Sequence, residues 1–478
     1  MKKYCFLIVV MFFLGIVSSR AQFTDLVNFS GTSGSYLGAY PQYDSLVVSG
    51  NVAYGMTVTG GSFNYGCIFS VNTNGKNYTI LHNFTGSTFD GEDPAGSLTL
   101  SGNTLYGMTA EGGSSIFGTI FTINTNGGGF TVLHDFTGNS SDGSYPRGNL
   151  TLSGSILYGM TPNGGPSNDG IIFSIKSNGS SFTIIHNFTG SSSDGTGPIG
   201  SLTLSGNTLY GMTAAGGSGN DGIIFSIDTN GNSFTDLHNF IGTSSDGASP
   251  YGGLTLSGSK LYGMTYYGGS SNYGIVFSIN TNGSSFTDLH NFTGSSSDGE
   301  QPEGSLTLSG NMLYGMTLAG GSSTNGVIFS IDTNGSSFTD LHNFTGSSSD
   351  GANPLGSLTL SGNTLYGMAQ VGGDSNEGII FSLKDTIVTT STNQLTTLGQ
   401  INIFPNPSTG QFTLSLSNVS EKCNVEVYNV LGKRVKSEEL RAKSEEIDLI
   451  GQPNGIYLYR VITENGGLVG EGKLILLR

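Results

Sequence analysis

Six histidines stand at one spacing. His82, His134, His186, His238, His290 and His342 follow one another at intervals of 52 residues, and Val27 takes the same place in an earlier copy of the phrase that carries them. Imidazoles repeated in this way could bind metal or carry protons. They all fall in one position of an outer strand, however, and neighbouring copies would stand too far apart to share an ion whose ligands must approach to roughly 2 Å. Structural histidines, and no metal, are expected. A second recurring group is acidic: Asp142, Asp194, Asp246, Asp298 and Asp350 in "SSSDG"-type loops, with Asp90 in "TFDGEDP". Calcium is the ion that such oxygen-rich loops would suit, but it needs six or more ligands and the spacing of a calcium motif is absent, so no cofactor is expected. Asp-Gly also makes turns.

Other chemistry is sparse. The Tyr and Met of the recurring "YGM" alternate as blade-core residues would. No nucleophile elbow, P-loop or HExxH occurs, and Trp is absent. Catalysis therefore has no motif behind it, although active-site groups need not be neighbours in sequence.

The elements that carry these residues repeat. "YGM" begins at Tyr54, Tyr106, Tyr158, Tyr210, Tyr262, Tyr314 and Tyr366, again every 52 residues. Each unit holds four short apolar or β-branched runs: a ("SLTLSG"), b ("TLYGMT"), c ("GIIFSI") and d ("FTDLHNF"), separated by Gly, Asn, Asp and Ser. Asn-Gly pairs at 74–75, 126–127, 178–179, 230–231, 282–283 and 334–335 predict type I′ hairpin turns between c and d. The last copy stops after run c, near Lys384. Its missing run d is "FTDLVNF", residues 23–29, at the other end of the repeats. A unit split between two ends predicts a closed circle, an all-β seven-bladed β-propeller in which the N-terminal strand closes the last blade.

The pattern "LYGMT..GG...G.IFSI.TNG..FT.LHNFTG...DG..P.GSLTLSG" resembles the GloVer tandem repeats of secreted bacterial proteins, over roughly Phe23 to Leu383. The resemblance implies a propeller and assigns no reaction. The tail is different in character. Pro405-Asn406-Pro407 with Gly410, "VEVYNVLGKRV" at 425–435 and Gly455-Ile456-Tyr457 closely resemble the type A C-terminal sorting domain of the type IX secretion system of Bacteroidota. That likeness implies recognition by the outer-membrane machinery, release or anchoring at the surface, and no catalysis.

The expected organisation is a signal peptide at 1–21, the propeller at 22–384, a Thr- and Gln-rich linker at 385–400 and a small Ig-like β-sandwich at 401–478. Lys2 and Lys3 precede the apolar run of the leader, and no later stretch is apolar enough to span a membrane. Cys67 and Cys423 fall in different domains, so no disulfide is expected. Phe23 to Gln400 carries 5 basic against 24 acidic residues, which argues against a nucleic-acid partner.

The seven copies differ mainly in their b–c and d–a loops, which a four-stranded blade presents on one face. Tyr251, Tyr266, Tyr267 and Tyr273 concentrate there in one blade. Such tyrosines suit stacking against sugars or a partner protein, and equally ordinary loop packing. The leading expectation is a secreted or cell-surface binder of an extracellular glycan or protein. The alternatives are a polysaccharide-active enzyme using loop carboxylates such as Glu111, Glu300 and Glu303, and a structural or adhesive surface component.

Overall fold

The computed structural model describes residues 21–43, 45–384, 400–404, 408–417, 423–429, 433–440, 444–463 and 468–477. The leader, Ala21 apart, and the linker, Gln400 apart, fall outside the described residues, as do Pro405, Asn406 and Pro407. Two compact units are distinguished, Met1–Thr386 and Ile387–Arg478. No helix occurs among the described residues, so none is long and apolar enough to cross a membrane.

The first unit is built of seven antiparallel four-stranded sheets. The first runs Val47–Ser49, Val52–Thr57, Cys67–Asn72 and Thr79–Asn83, corresponding to runs a to d. Strands b and c sit inside and are apolar on both faces, because each sheet is covered by its neighbours on either side. Ile223, Ile224, Phe225 and Ile227 of one strand c, for example, are fully buried. The Gly of "YGM" is needed here: a Cβ on Gly211 would lie 2.5 Å from Cζ of Phe225, the ring that crosses strand b. The Tyr and Met of the same tripeptide are buried throughout.

The split repeat is joined as its sequence requires. Gln22–Asn28 pairs antiparallel with Ile379–Lys384, with Phe23 opposite Leu383 and Asn28 opposite Ile379. Val27 and Phe29 then enter one core cluster with Leu46, Phe69 and Val71 of the first sheet and Tyr366, Met368 and Ile380 of the last. Each innermost strand also reaches the next. Thr99, Thr151, Thr203, Thr255 and Thr307 donate from Oγ1 to the carbonyls of Leu150, Leu202, Leu254, Leu306 and Leu358. Thr359 of the last sheet donates to Leu46 of the first at 2.5 Å.

The hairpin turns differ from expectation. Gly75 donates to the Asn72 carbonyl and Asn72 to that of Lys76, and of the loop residues 73–75 only the glycine has positive φ, +78°. This is a type I turn followed by a left-handed Gly, the three-residue loop, in place of type I′. Asn74 earns its position by side chain, its Oδ1 accepting from the Lys76 N–H.

The tail contains a three-stranded sheet (Gln400–Phe404, Gln411–Ser417, Ser444–Asp448) and a four-stranded one in the order Arg434–Leu440, Cys423–Asn429, Gly455–Thr463, Leu468–Leu476. Phe412, Val425, Val427, Val461 and Leu476 form its core. Cys67 and Cys423 are both buried, and no disulfide joins them.

Candidate ligand-binding site

Short strands tie the variable loops together. Gly91–Glu92 of a d–a loop pairs with Glu111–Gly112 of a b–c loop, and equivalent two-residue ladders recur in the next five units. Both loop sets therefore share one face of the sheets, held by main-chain hydrogen bonds.

One column of that face lines an axis. Tyr43, Ala95, Arg147, Ile199, Tyr251, Glu303 and Leu355 follow at 52-residue intervals, all but the first directly after a proline. Next come Gly96, Gly148, Gly200, Gly252, Gly304 and Gly356, the seventh place being that of Asp44, outside the described residues; a Cβ on Gly200 would stand 2.1 Å from the Gly252 carbonyl oxygen, and one on Gly304 2.2 Å from that of Gly356. Below them, side-chain oxygens accept from backbone N–H groups of the preceding unit, as in Ser45 to Ser97, Ser97 to Asn149, Asn149 to Ser201 and Ser305 to Ser357. The space at this level is about 30 Å³, room for a water or two and for no sugar ring.

Above the glycines the space widens. Tyr43, Arg147, Ile199, Tyr251, Tyr266, Tyr267 and Glu303 line a hollow of about 270 Å³. Arg147 and Ile199 also border an adjoining one of about 430 Å³ with Glu111, Tyr145, Pro162 and Asn163. Tyr251 and Tyr266 lie 5.2 Å apart, tilted by 58°, and Tyr266 meets Tyr267 edge-on at 4.5 Å. The Arg147 guanidinium stands over the Tyr43 ring at 5.9 Å.

The electrostatics centre on Glu303. Burial pushes its carboxyl up to about 7, against the weaker pull of the Arg147 charge, and its buried Oε2 accepts no hydrogen bond from the described residues. Burial, then the nearby Glu303 charge, raises the Tyr266 hydroxyl to about 12, and the same two causes raise Tyr251 and Tyr43. A carboxyl whose folded value lies above its unfolded one costs stability as pH rises through that interval. Glu303→Gln is therefore expected to stabilise the protein by on the order of 2–3 kcal/mol at about pH 8 and hardly at all near pH 4. Urea midpoints at the two pH values measure this; equal midpoints for variant and wild type at the higher pH would contradict it.

Three of the four tyrosines singled out by sequence thus meet in one place. Tyr273 does not join them; it lies beside Gly294, near Glu300, which pairs with Ala319 and does not border the hollow. Among the three loop carboxylates, Glu303 lines the hollow and Glu111 the adjoining one. Tyr43, Arg147 and Ile199 were missed as lining residues, although the place of Arg147 and Ile199 directly after the repeated proline was a usable signal. In the tail, Tyr457 is buried and donates to the Pro453 carbonyl, Gly410 donates to Ser408 Oγ, and Gly455 adopts φ +154°.

The histidines lie elsewhere and do not converge. Each pairs with the buried Asp of its own d–a loop, at 3.0–3.2 Å, and stacks on an aromatic ring of the next unit, as His82 does on Phe130 and His342 on Phe23. The loop aspartates are thus more than turn formers. Asp194 accepts from His186 Nε2, Thr189 N and Oγ1, and Gly195 N. Burial disfavours its charge, but the His186 hydrogen bond and charge outweigh that and hold the carboxyl below its usual range. Where Val27 replaces histidine, Leu37 stands in the aspartate's place before Gly38, and Tyr78 replaces the stacking Phe, donating to the Leu37 carbonyl at 2.5 Å.

These sheets and this face define an all-β tandem-repeat protein whose variable loops gather on one side. Residues 13–225 and 205–414 match the Gloeobacter/Verrucomicrobia repeat, and the chain belongs to that family. Residues 402–476 match the secretion system C-terminal sorting domain, a type IX signal that directs the chain to the cell surface or extracellular space. Ulvan lyase NLR42 of Nonlabens ulvanivorans is 31% identical over 96 residues, which span 20% of this chain and 17% of that protein. PorZ of Porphyromonas gingivalis, a surface component of the type IX secretion system, superimposes with a TM-score of 0.44 at 11% identity, over 91% of this chain and 59% of its own. The extracellular domain of BT4673 from B. thetaiotaomicron gives 0.47 at 12% identity, over 96% of this chain and 59% of its own.

Proposed function

We propose that the seven sheets close as a seven-bladed β-propeller, that the tail is an Ig-like sandwich following a linker, and that the propeller is an extracellular binding module. Entry through a cleaved N-terminal signal peptide, followed by the type IX machinery, belongs to the same reading. The ligand face is the one carrying the b–c and d–a loops, and the ligand is a glycan. The observation that carries it is the convergence of Tyr251, Tyr266 and Tyr267 with Arg147 and Glu303 around one hollow. Aromatic rings with a few fixed polar groups are what a saccharide site uses. A glycan array probed with the full chain tests this: Tyr266→Ala/Tyr267→Ala is expected to lose at least about tenfold in affinity for whatever glycan the wild type retains. Unaltered binding by the double variant would remove the site.

A polysaccharide-active enzyme is the second reading, favoured by Glu303, whose carboxyl is raised into the range of a general acid. Product release from a polysaccharide by wild type and not by Glu303→Gln would select it. An adhesive component without a discrete site is the third, and would leave the array blank.

A further inference from the structure

We propose that the hollow above the glycines binds an organic ammonium group, held between the Glu303 carboxylate and the faces of Tyr251 and Tyr266, and that the ligand is a glycan ending in an amino sugar. This rests on the ligand-face reading above and narrows its chemistry.

The walls have the form of a box. The rings of Tyr251 and Tyr266, tilted by 58° with Tyr267 edge-on to the second, cannot present one flat platform to a sugar, but they flank a compact cation from two sides, and the negative faces of aromatic rings attract cations. The acid completes the box. Glu303 lines the hollow and its covered Oε2 has no hydrogen bond from the described residues, so a donor bearing positive charge that reaches the carboxylate gains both a bond and the charge pairing. Size sets the direction of entry. The hollow of about 270 Å³ adjoins a space of only about 30 Å³ at the level of the glycines, too little for a sugar ring, so the hollow suits an end of a chain. The surrounding repeats, residues 22–384, with 5 basic against 23 acidic residues, draw cations toward the mouth.

Charged and titratable groups facing Glu303 are Arg147 and the tyrosines Tyr43, Tyr251, Tyr266 and Tyr267. Arg147 is the one cation among them. It opposes a bare ammonium and suits an oxygen of the same sugar.

Calorimetry on the full chain can decide, using a glucosamine tetramer, its fully N-acetylated counterpart and tetramethylammonium chloride. The amino tetramer is expected to bind at least about tenfold more tightly than the acetylated one, since only it brings a cation to the box. Tetramethylammonium, which does not titrate, is expected to weaken several-fold between about pH 8 and pH 6 as Glu303 takes up its proton. Glu303→Gln should abolish both the preference and the pH dependence with an unchanged circular dichroism spectrum, and Arg147→Ala should tighten tetramethylammonium. Equal binding of both tetramers by wild type and Glu303→Gln would overturn the ammonium assignment while leaving a glycan site standing. Failure of all three probes to bind overturns it too, and the array result then decides the wider reading separately.

Discussion

Removing residues 22–29 is expected to cost about 5–9 kcal/mol, the burial of some three apolar side chains at roughly 1.5–3 kcal/mol each. Val27 and Phe29 are buried, and Phe23 stacks on His342 at 3.9 Å and on Phe381 at 5.2 Å. The loss would rival the net stability of an ordinary domain. It would also bare one edge of Ile379–Lys384, where Ile379, Ile380, Phe381 and Leu383 are fully buried, and an uncovered apolar edge strand invites pairing with another chain. Urea titration of the truncated protein, followed by light scattering, measures both effects. An unfolding free energy within about 1 kcal/mol of wild type would mean that the strand contributes little. Adding a peptide of residues 22–29 in trans should restore part of the loss.

Asp194→Ala is expected to cost about 3–5 kcal/mol, because it strips four donors of their acceptor and leaves His186 facing a gap. The pair His186→Val/Asp194→Leu should be milder by at least about 1 kcal/mol, since removing both partners leaves fewer polar groups unmet. The protein itself supplies the precedent in Val27 and Leu37. A double variant as unstable as the sum of its single changes would show that the pair is not a coupled unit.

The sequence made the period, the four runs and the borrowed strand plain, because each is a local pattern or a count. Turn type was misjudged: Asn-Gly fits two loop lengths, and only the hydrogen bond from Gly75 to Asn72 separates them. Pairing of His186 with Asp194 was hidden for another reason. Eight residues separate them along a bent connection, and no periodicity says that the two side chains turn toward each other. The hollow was half visible. Tyr266 and Tyr267 stood out by composition, whereas Arg147 and Glu303, 156 residues and three units apart, are brought to one hollow because each unit contributes the same position to the axis.

Near-identical units carry a hazard, since a loose strand can settle in the wrong slot or in another molecule. Six of the junctions here are interchangeable in their His, Asp and aromatic groups; the one where Val27 and Leu37 meet Tyr78 is not. A protein made of copies thus keeps one lock that fits a single key, and the order of assembly is written at that seam.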